Sequence, residues 1–350
     1  MSDEKPPKGI DVEQVSQWLV EHIEGATAPF ASELIAAGGS NLTYRVTDAN
    51  GEVWALRRPP VAARLATAHD MSREWKIMSA LDRNTEIPVP RMLGYCNDTE
   101  RFDAHFYVMS FVEGTIIRDS SSIASLSAAQ CKNATDALVD VQAAFHALDV
   151  DAIGLGDLAK TRDNYVARQL RRWSSQVEAG KTRELPVLAE LHQRLSQHIP
   201  PETRRPSLAH GDYRFDNTVI DGNCQIIAVL DWELCTLGDP TADFVWSLLY
   251  WAQPGDSISW LLDAPTFSDK FPDRDYVIER YQQASGQALE HLDYYMAFSW
   301  WKQACIVEGV YSRLQQGASG GMQVDSLDAV AVRVEDYLEQ AATLAARAGI

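Results

Sequence analysis

Apolar positions follow two rhythms along this chain. In the first hundred or so residues they form short runs separated by turn residues. Residues 11–23 read as a leading helix, with Val12, Val15, Trp18, Leu19 and Ile23 on one side. The stretch 34–46 then reads as a strand, a glycine turn and a second strand. Asp48-Ala-Asn-Gly51 is the next turn, and 52–58 a third strand. Pro59-Pro60 breaks the chain, and the spacing of Met71, Trp75, Met78 and Leu81 predicts a helix over 70–82. Residues 87–96, interrupted by prolines, lead into a fourth strand. Residues 105–114 read as a buried strand running out to a glycine.

Beyond residue 113 the rhythm becomes helical. Cys131, Ala134, Leu138, Val141, Phe145 and Leu148 recur in steps of three and four over 128–148, and 163–173 and 188–198 continue in that style. Gly238-Asp-Pro-Thr-Ala-Asp243 opens an apolar helix over 243–252, and 315–321 is a flexible loop. A final amphipathic helix runs 325–346, with Leu327, Val330, Val334, Leu338, Ala341 and Leu344 inward. Trp246, Trp251, Trp260, Trp300 and Trp301 crowd the last third, where core packing or an acceptor pocket would both use them.

One stretch breaks the pattern. Leu208-Ala-His-Gly-Asp-Tyr-Arg-Phe-Asp-Asn-Thr-Val-Ile-Asp221 is a polar loop between apolar runs, followed by Ile226-Ile-Ala-Val-Leu-Asp-Trp-Glu233. The turn Asp221-Gly-Asn223 predicts a hairpin with strands 218–221 and 224–230. That layout brings together the oxygen-bearing side chains of Asp212, Asn217 and Asp231. Such a grouping suits phosphoryl transfer, which needs Mg²⁺ on hard oxygen ligands and a carboxylate to orient the attacking hydroxyl. Taken singly, each is an ordinary turn residue.

His210-Gly-Asp-x-x-x-x-Asn217 followed by Leu-Asp231-Trp-Glu resembles the signature of aminoglycoside phosphotransferases and choline kinase-like relatives. The resemblance implies an α+β, two-lobe, protein-kinase-like fold. Its N-terminal lobe would be residues 1–112, a mixed sheet plus one helix, with 1–10 disordered. A mostly helical lobe, 113–350, would hold the catalytic loop 208–217 and the metal-binding strand end 231–233. Asp212 is then the catalytic base, Asn217 and Asp231 the Mg²⁺ ligands, and ATP the phosphoryl donor. Arg214 takes the place of the catalytic-loop lysine, and His210 is a structural prop. Gly38, Gly39, Ser40 and Asn41 would cover the phosphates, and the backbones of Ser110 and Val112 would meet the adenine edge. Where the family has a lysine at the end of the third strand, this chain has Arg57, a planar fork in place of a point charge. Glu74 would be its helix partner, or else a solvent-facing acid. Leu56-Arg-Arg-Pro-Pro60 is similar to relatives associated with acyl-CoA dehydrogenases, and tilts the acceptor toward a hydroxyacyl-CoA or hydroxy acid rather than an aminoglycoside. Asp243 resembles a helix-start aspartate that holds the catalytic loop. The resemblance is thin beyond residue 252.

Composition narrows the partners. Over 350 residues the net charge is −18, which disfavours nucleic acid and anionic membrane surfaces. The five cysteines lack a Cys-x-x-Cys pair, as expected of a reduced cytoplasmic protein without zinc. No apolar run approaches the ~20 residues that span a bilayer. The sequence therefore points to a small-molecule kinase, with a nucleotide-binding pseudokinase of regulatory role as the alternative, motivated by Arg57. Hydrolysis by the same carboxylates is a third reading.

Overall fold

The computed structural model describes residues 9–37, 41–60, 71–256, 263–317 and 326–350. They divide into two compact units, 9–115 with 218–221 and 226–234, and the remainder.

The first unit is built on a five-stranded sheet of order β1-β2-β3-β5-β4, antiparallel throughout. Its strands are β1 (Ala31–Ala37), β2 (Leu42–Thr47), β3 (Val53–Arg58), β4 (Met92–Cys96) and β5 (Phe106–Ser110). Helix α1 (Val12–His22) starts where the Asp11 carboxylate accepts the Glu13 and Gln14 N–H groups at 3.1 Å. Its Val15, Trp18 and Leu19, one turn apart, bury against Tyr44, Val46, Trp54, Leu56, Phe106 and Val108 of the sheet. Helix α2 (Met71–Asn84) buries Met71, Glu74, Ile77, Met78 and Leu81. Trp75 is not on that face as its spacing suggested; it is half-buried and stacks on Tyr95 with ring centroids 5.7 Å apart.

The hairpin of β7 (Thr218–Ile220) and β8 (Ile226–Val229) also belongs to the first unit, whereas the sequence alone puts it with the helical part. Its strands are shorter than expected: Gly222 and Asn223 form the turn, Cys224 takes a left-handed φ of 61°, and residues 221–225 leave the ladder. Thr115 and Ile220 exchange backbone hydrogen bonds of 2.8 and 2.9 Å. Gly114 permits this: a Cβ there would lie 2.5 Å from Val219 Cγ1 and 2.6 Å from the Ile220 carbonyl oxygen.

The second unit is helical. It comprises α3 (Ala128–His146), α4 (Tyr165–Ala179), α5 (Pro186–Gln197), α6 (Pro240–Leu248), α7 (Arg274–Ser285), α8 (Leu292–Gln315) and α9 (Leu327–Arg347), with the strand pair β6 (Ser207–Ala209) and β9 (Thr236–Gly238). The sequence rhythm found α3, α4, α5 and α9 to within a few residues at most ends and missed α7 and α8. Helix α8 packs against α4, α5, α6 and α9, so it buries apolar residues on nearly every side and carries no single stripe to read. Trp246, Trp251, Trp300 and Trp301 are all buried core residues; Trp260 lies outside the described residues. All five cysteines are buried, and none forms a disulfide with another. Among the described residues no helix is long and apolar enough to cross a membrane.

Candidate functional site

The candidate residues form two clusters, one in each unit. In the second unit, β6 ends at Ala209 and the chain turns through Gly211, whose φ of 85° suits a residue without Cβ. Helix α6 fixes this turn. Asp239, followed by Pro240, caps the helix by accepting the Thr241 N–H at 2.8 Å, so α6 begins earlier than the expected 243. Asp243, freed from capping, is 2% exposed and accepts the backbone N–H groups of His210 (3.1 Å) and Gly211 (2.9 Å). His146 Nε2 lies 3.1 Å from the same carboxylate, and its Nδ1 lies 2.7 Å from the Tyr281 hydroxyl. Although burial opposes ionisation, the bond from His146 and the neighbouring donors hold the Asp243 carboxyl below its usual range.

This frame presents Asp212. The Asn217 side-chain amide donates to Asp212 Oδ2 at 2.9 Å and to its carbonyl oxygen at 2.8 Å, across the single helical turn Phe215–Asn217. The Tyr250 hydroxyl donates to Asp212 Oδ1 at 2.6 Å. Arg214 lies between Asp212 (3.3 Å) and Asp216 (3.0 Å), with its guanidinium 5.0 Å above the Tyr250 ring. Burial pulls its pKa down, but the two carboxylates outweigh it and the net direction is up. His210 is fully buried, and its Nδ1 accepts the Asp212 N–H at 3.3 Å.

In the first unit, β3 carries Arg57 one residue before its end; its Nε donates to Glu74 Oε2 at 3.2 Å and its Nη2 pairs with Asp231. Glu74 is 1% exposed, which removes the solvent-facing alternative. Burial pushes its carboxyl up against the opposing pull of Arg57. Arg57 is itself only 12% exposed, and the surrounding acids hold its charge despite burial. Asp231 closes β8 with φ 64°, a left-handed conformation that Asp tolerates better than most side chains. Asn41 is buried, and its amide donates to Glu233 Oε2 at 2.8 Å. Gly38, Gly39 and Ser40 lie outside the described residues. Of the Ser110 backbone groups expected at the adenine edge, the N–H donates to the Arg91 carbonyl at 2.9 Å; the Ser110 hydroxyl accepts the Arg91 N–H at 3.0 Å. Val112 follows the strand, half-buried.

No group of three or more His, Cys, Asp or Glu able to hold a metal occurs among the described residues. Asn217 and Asp231 are hard oxygen donors of the kind Mg²⁺ takes in ones and twos, completing its shell with waters and phosphate oxygens. Taken each within its own unit, the two side chains have a donor chemistry that fits Mg²⁺. Tyr250 was not legible as a site residue. The one signal is that Asp243, Trp246 and Tyr250 fall at helical spacing.

Residues 32–293 match the family model described as the phosphotransferase enzyme family. Mouse acyl-CoA dehydrogenase family member 10 is 33% identical over 302 residues, which is 83% of this chain and 27% of that protein. The chain thus spans about a quarter of that relative's length. A crystal structure of a Ralstonia eutropha protein, proposed to be an aminoglycoside phosphotransferase, superposes with a TM-score of 0.80 at 31% identity, covering 96% of this chain and 98% of the other. ADP-bound aminoglycoside phosphotransferase APH(2'')-Ib shares the fold at 15% identity and a TM-score of 0.55, covering 96% and 99%.

Proposed function

The chain belongs to the phosphotransferase enzyme family, and on that premise we propose that it transfers the γ-phosphoryl group of ATP, with Mg²⁺, to the hydroxyl of a small molecule. Asp212 carries this reading. Its two carboxylate oxygens are held by Asn217 and Tyr250, and its loop backbone is held by Asp243. A carboxylate so fixed can accept a hydrogen bond from an alcohol and take its proton as transfer proceeds. Arg214, beside it, would steady the transferring phosphoryl group. Arg57, kept cationic by Glu74, would pair with the α- and β-phosphates, and the 38–41 turn, with Ser110 and Val112, would hold the rest of the nucleotide. Asn217 and Asp231 would hold Mg²⁺, which when bound neutralises charge on the phosphates. The acceptor class we favour is a hydroxyacyl-CoA or hydroxy acid, in keeping with the mouse relative's name. Growth of an expressing strain on aminoglycoside plates tests the competing class.

The deciding experiment incubates a metabolite extract with protein, ATP and Mg²⁺, using Asp212→Asn as the control. A compound gaining one phosphoryl group only with the intact protein supports the kinase. ATP binding without any such product favours a nucleotide-binding regulatory partner, the reading that Arg57 motivates. Phosphate release without an acceptor would mark hydrolysis instead.

A further inference from the structure

Within the second unit a lysine is buried without a counter-ion. Lys302, in the middle of α8, is 8% exposed and makes no hydrogen bond or ion pair among the described residues. Its Nζ rests 3.6 Å from the centre of the Trp246 ring. Trp246 is 6% exposed, and its indole N–H has no hydrogen-bond partner, although it lies close enough to the Tyr250 hydroxyl to favour that group's ionised form. The Trp246 and Tyr250 rings meet edge to face with centroids 6.3 Å apart, and the Tyr250 hydroxyl ends on Asp212. A line of contacts therefore runs from Lys302 to the candidate base.

Buried ammonium and indole N–H groups are normally satisfied, and leaving them without acceptors is costly. The Trp246 ring face compensates part of the lysine's charge but accepts none of its hydrogen bonds in line, and it does nothing for the indole N–H. Burial pulls the Lys302 pKa down to about 8, with Asp243 and Asp212 opposing and Arg172 assisting, so the group is still chiefly an ammonium at neutral pH. An indole N–H without an acceptor, and an ammonium resting on a ring face, on the line of contacts that ends at the proposed base, call for an acceptor oxygen from outside the chain.

We propose that Lys302 and Trp246 form a carboxylate subsite, and that the alcohol presented to Asp212 belongs to a hydroxy acid. The inference rests on the kinase reading in taking Asp212 as the base. It narrows the acceptor, since a polycationic aminoglycoside would set its ammonium groups against Lys302, and a neutral thioester would leave the ammonium unpaired.

Two measurements on the full chain test it. Thermal melts in butyrate and in butyramide, at matched ionic strength, probe the subsite without catalysis. Wild type should gain stability from butyrate alone, and both Lys302→Met and Trp246→Phe should lose the gain. Trp246→Phe keeps the ring and Lys302→Met the length, so both should fold. An equal butyrate response in wild type and Lys302→Met, or a butyramide response as large as that to butyrate, overturns the subsite. In the second measurement, ADP release from MgATP is followed with short hydroxy acids, their primary amides and their CoA thioesters. The acids should exceed the amides and thioesters in kcat/KM by about tenfold or more, as expected for one charge-assisted hydrogen bond. Lys302→Met should lose that preference through KM. Preferred use of an amide or thioester keeps the kinase and overturns the subsite. Butyrate binding that needs Lys302, without ADP release from any compound, keeps the subsite and counts against the kinase.

Discussion

The Tyr250 hydroxyl donates to Asp212 Oδ1 at 2.6 Å, on the carboxylate oxygen opposite the one that Asn217 holds. On the proposed kinase reading, Tyr250 would act on the reaction through the orientation of Asp212. Asp212→Asn should lower kcat by about 10²–10⁴, the range for loss of a general base. Tyr250→Phe should lower it by about 10- to 150-fold, a hydrogen bond to a charged group being worth about 1.5–3 kcal/mol. The acceptor KM should stay near wild type in Tyr250→Phe. Steady-state ADP release checks both, and a full kcat in Tyr250→Phe would remove the positioning role.

Arg57 joins a structural role to the proposed nucleotide role, and the two are separable. Arg57→Ala leaves Glu74 buried and unpaired, which should cost about 3–5 kcal/mol of stability. Adding Glu74→Gln removes the stranded charge, so the double variant should recover much of that loss in a urea titration. Its affinity for ATP should stay low. ATP binding that recovers together with stability would leave Arg57 a structural residue only.

Asp231 combines a left-handed backbone with the proposed metal contact. Asp231→Asn should keep the melting temperature and lose Mg²⁺-dependent nucleotide affinity in a calorimetric titration. Asp231→Ala should lose the same affinity and a further ~1 kcal/mol of stability, since Ala pays more for a positive φ. Unchanged MgADP binding in Asp231→Asn would take this residue out of the metal site.

Lys302 gives a pH signature. Below about pH 8 it is charged in both folded and unfolded chains, and its buried charge counts fully against folding. Between about 8 and the ordinary 10.5 the folded chain sheds the proton first, so stability rises with pH across that window. Lys302→Met should therefore be more stable than wild type at pH 7, by up to about 3 kcal/mol. The gap should close toward pH 10. Thermal melts across this range check it, and a gap independent of pH would contradict the buried charge.

Legibility in the sequence followed locality. The hairpin strands, α2 and the Asp212–Asn217 spacing could be read because each is settled within at most 14 residues. The Arg57–Glu74 pair was legible only through family resemblance, since the fold alone brings residues 17 apart in sequence into contact. Tyr250, 38 residues from Asp212, and Lys302, on a helix apolar all round, carried no local signal. The Ser110 expectation concerned backbone groups, which carry no side-chain identity, so nothing in the sequence signalled that its N–H donates to the Arg91 carbonyl.

The hairpin that ends on Asp231 has a consequence for how such a protein can be inherited. The first unit is drawn from separate stretches of chain, leaving at Thr115 and resuming at Thr218. A gene exchange with one crossover near residue 115 would supply Arg57 from one parent and its partner Asp231 from another, together with the Ile220 that bonds Thr115. The acidic end of β8 and the basic end of β3 must therefore descend as a matched pair, although 174 positions separate them.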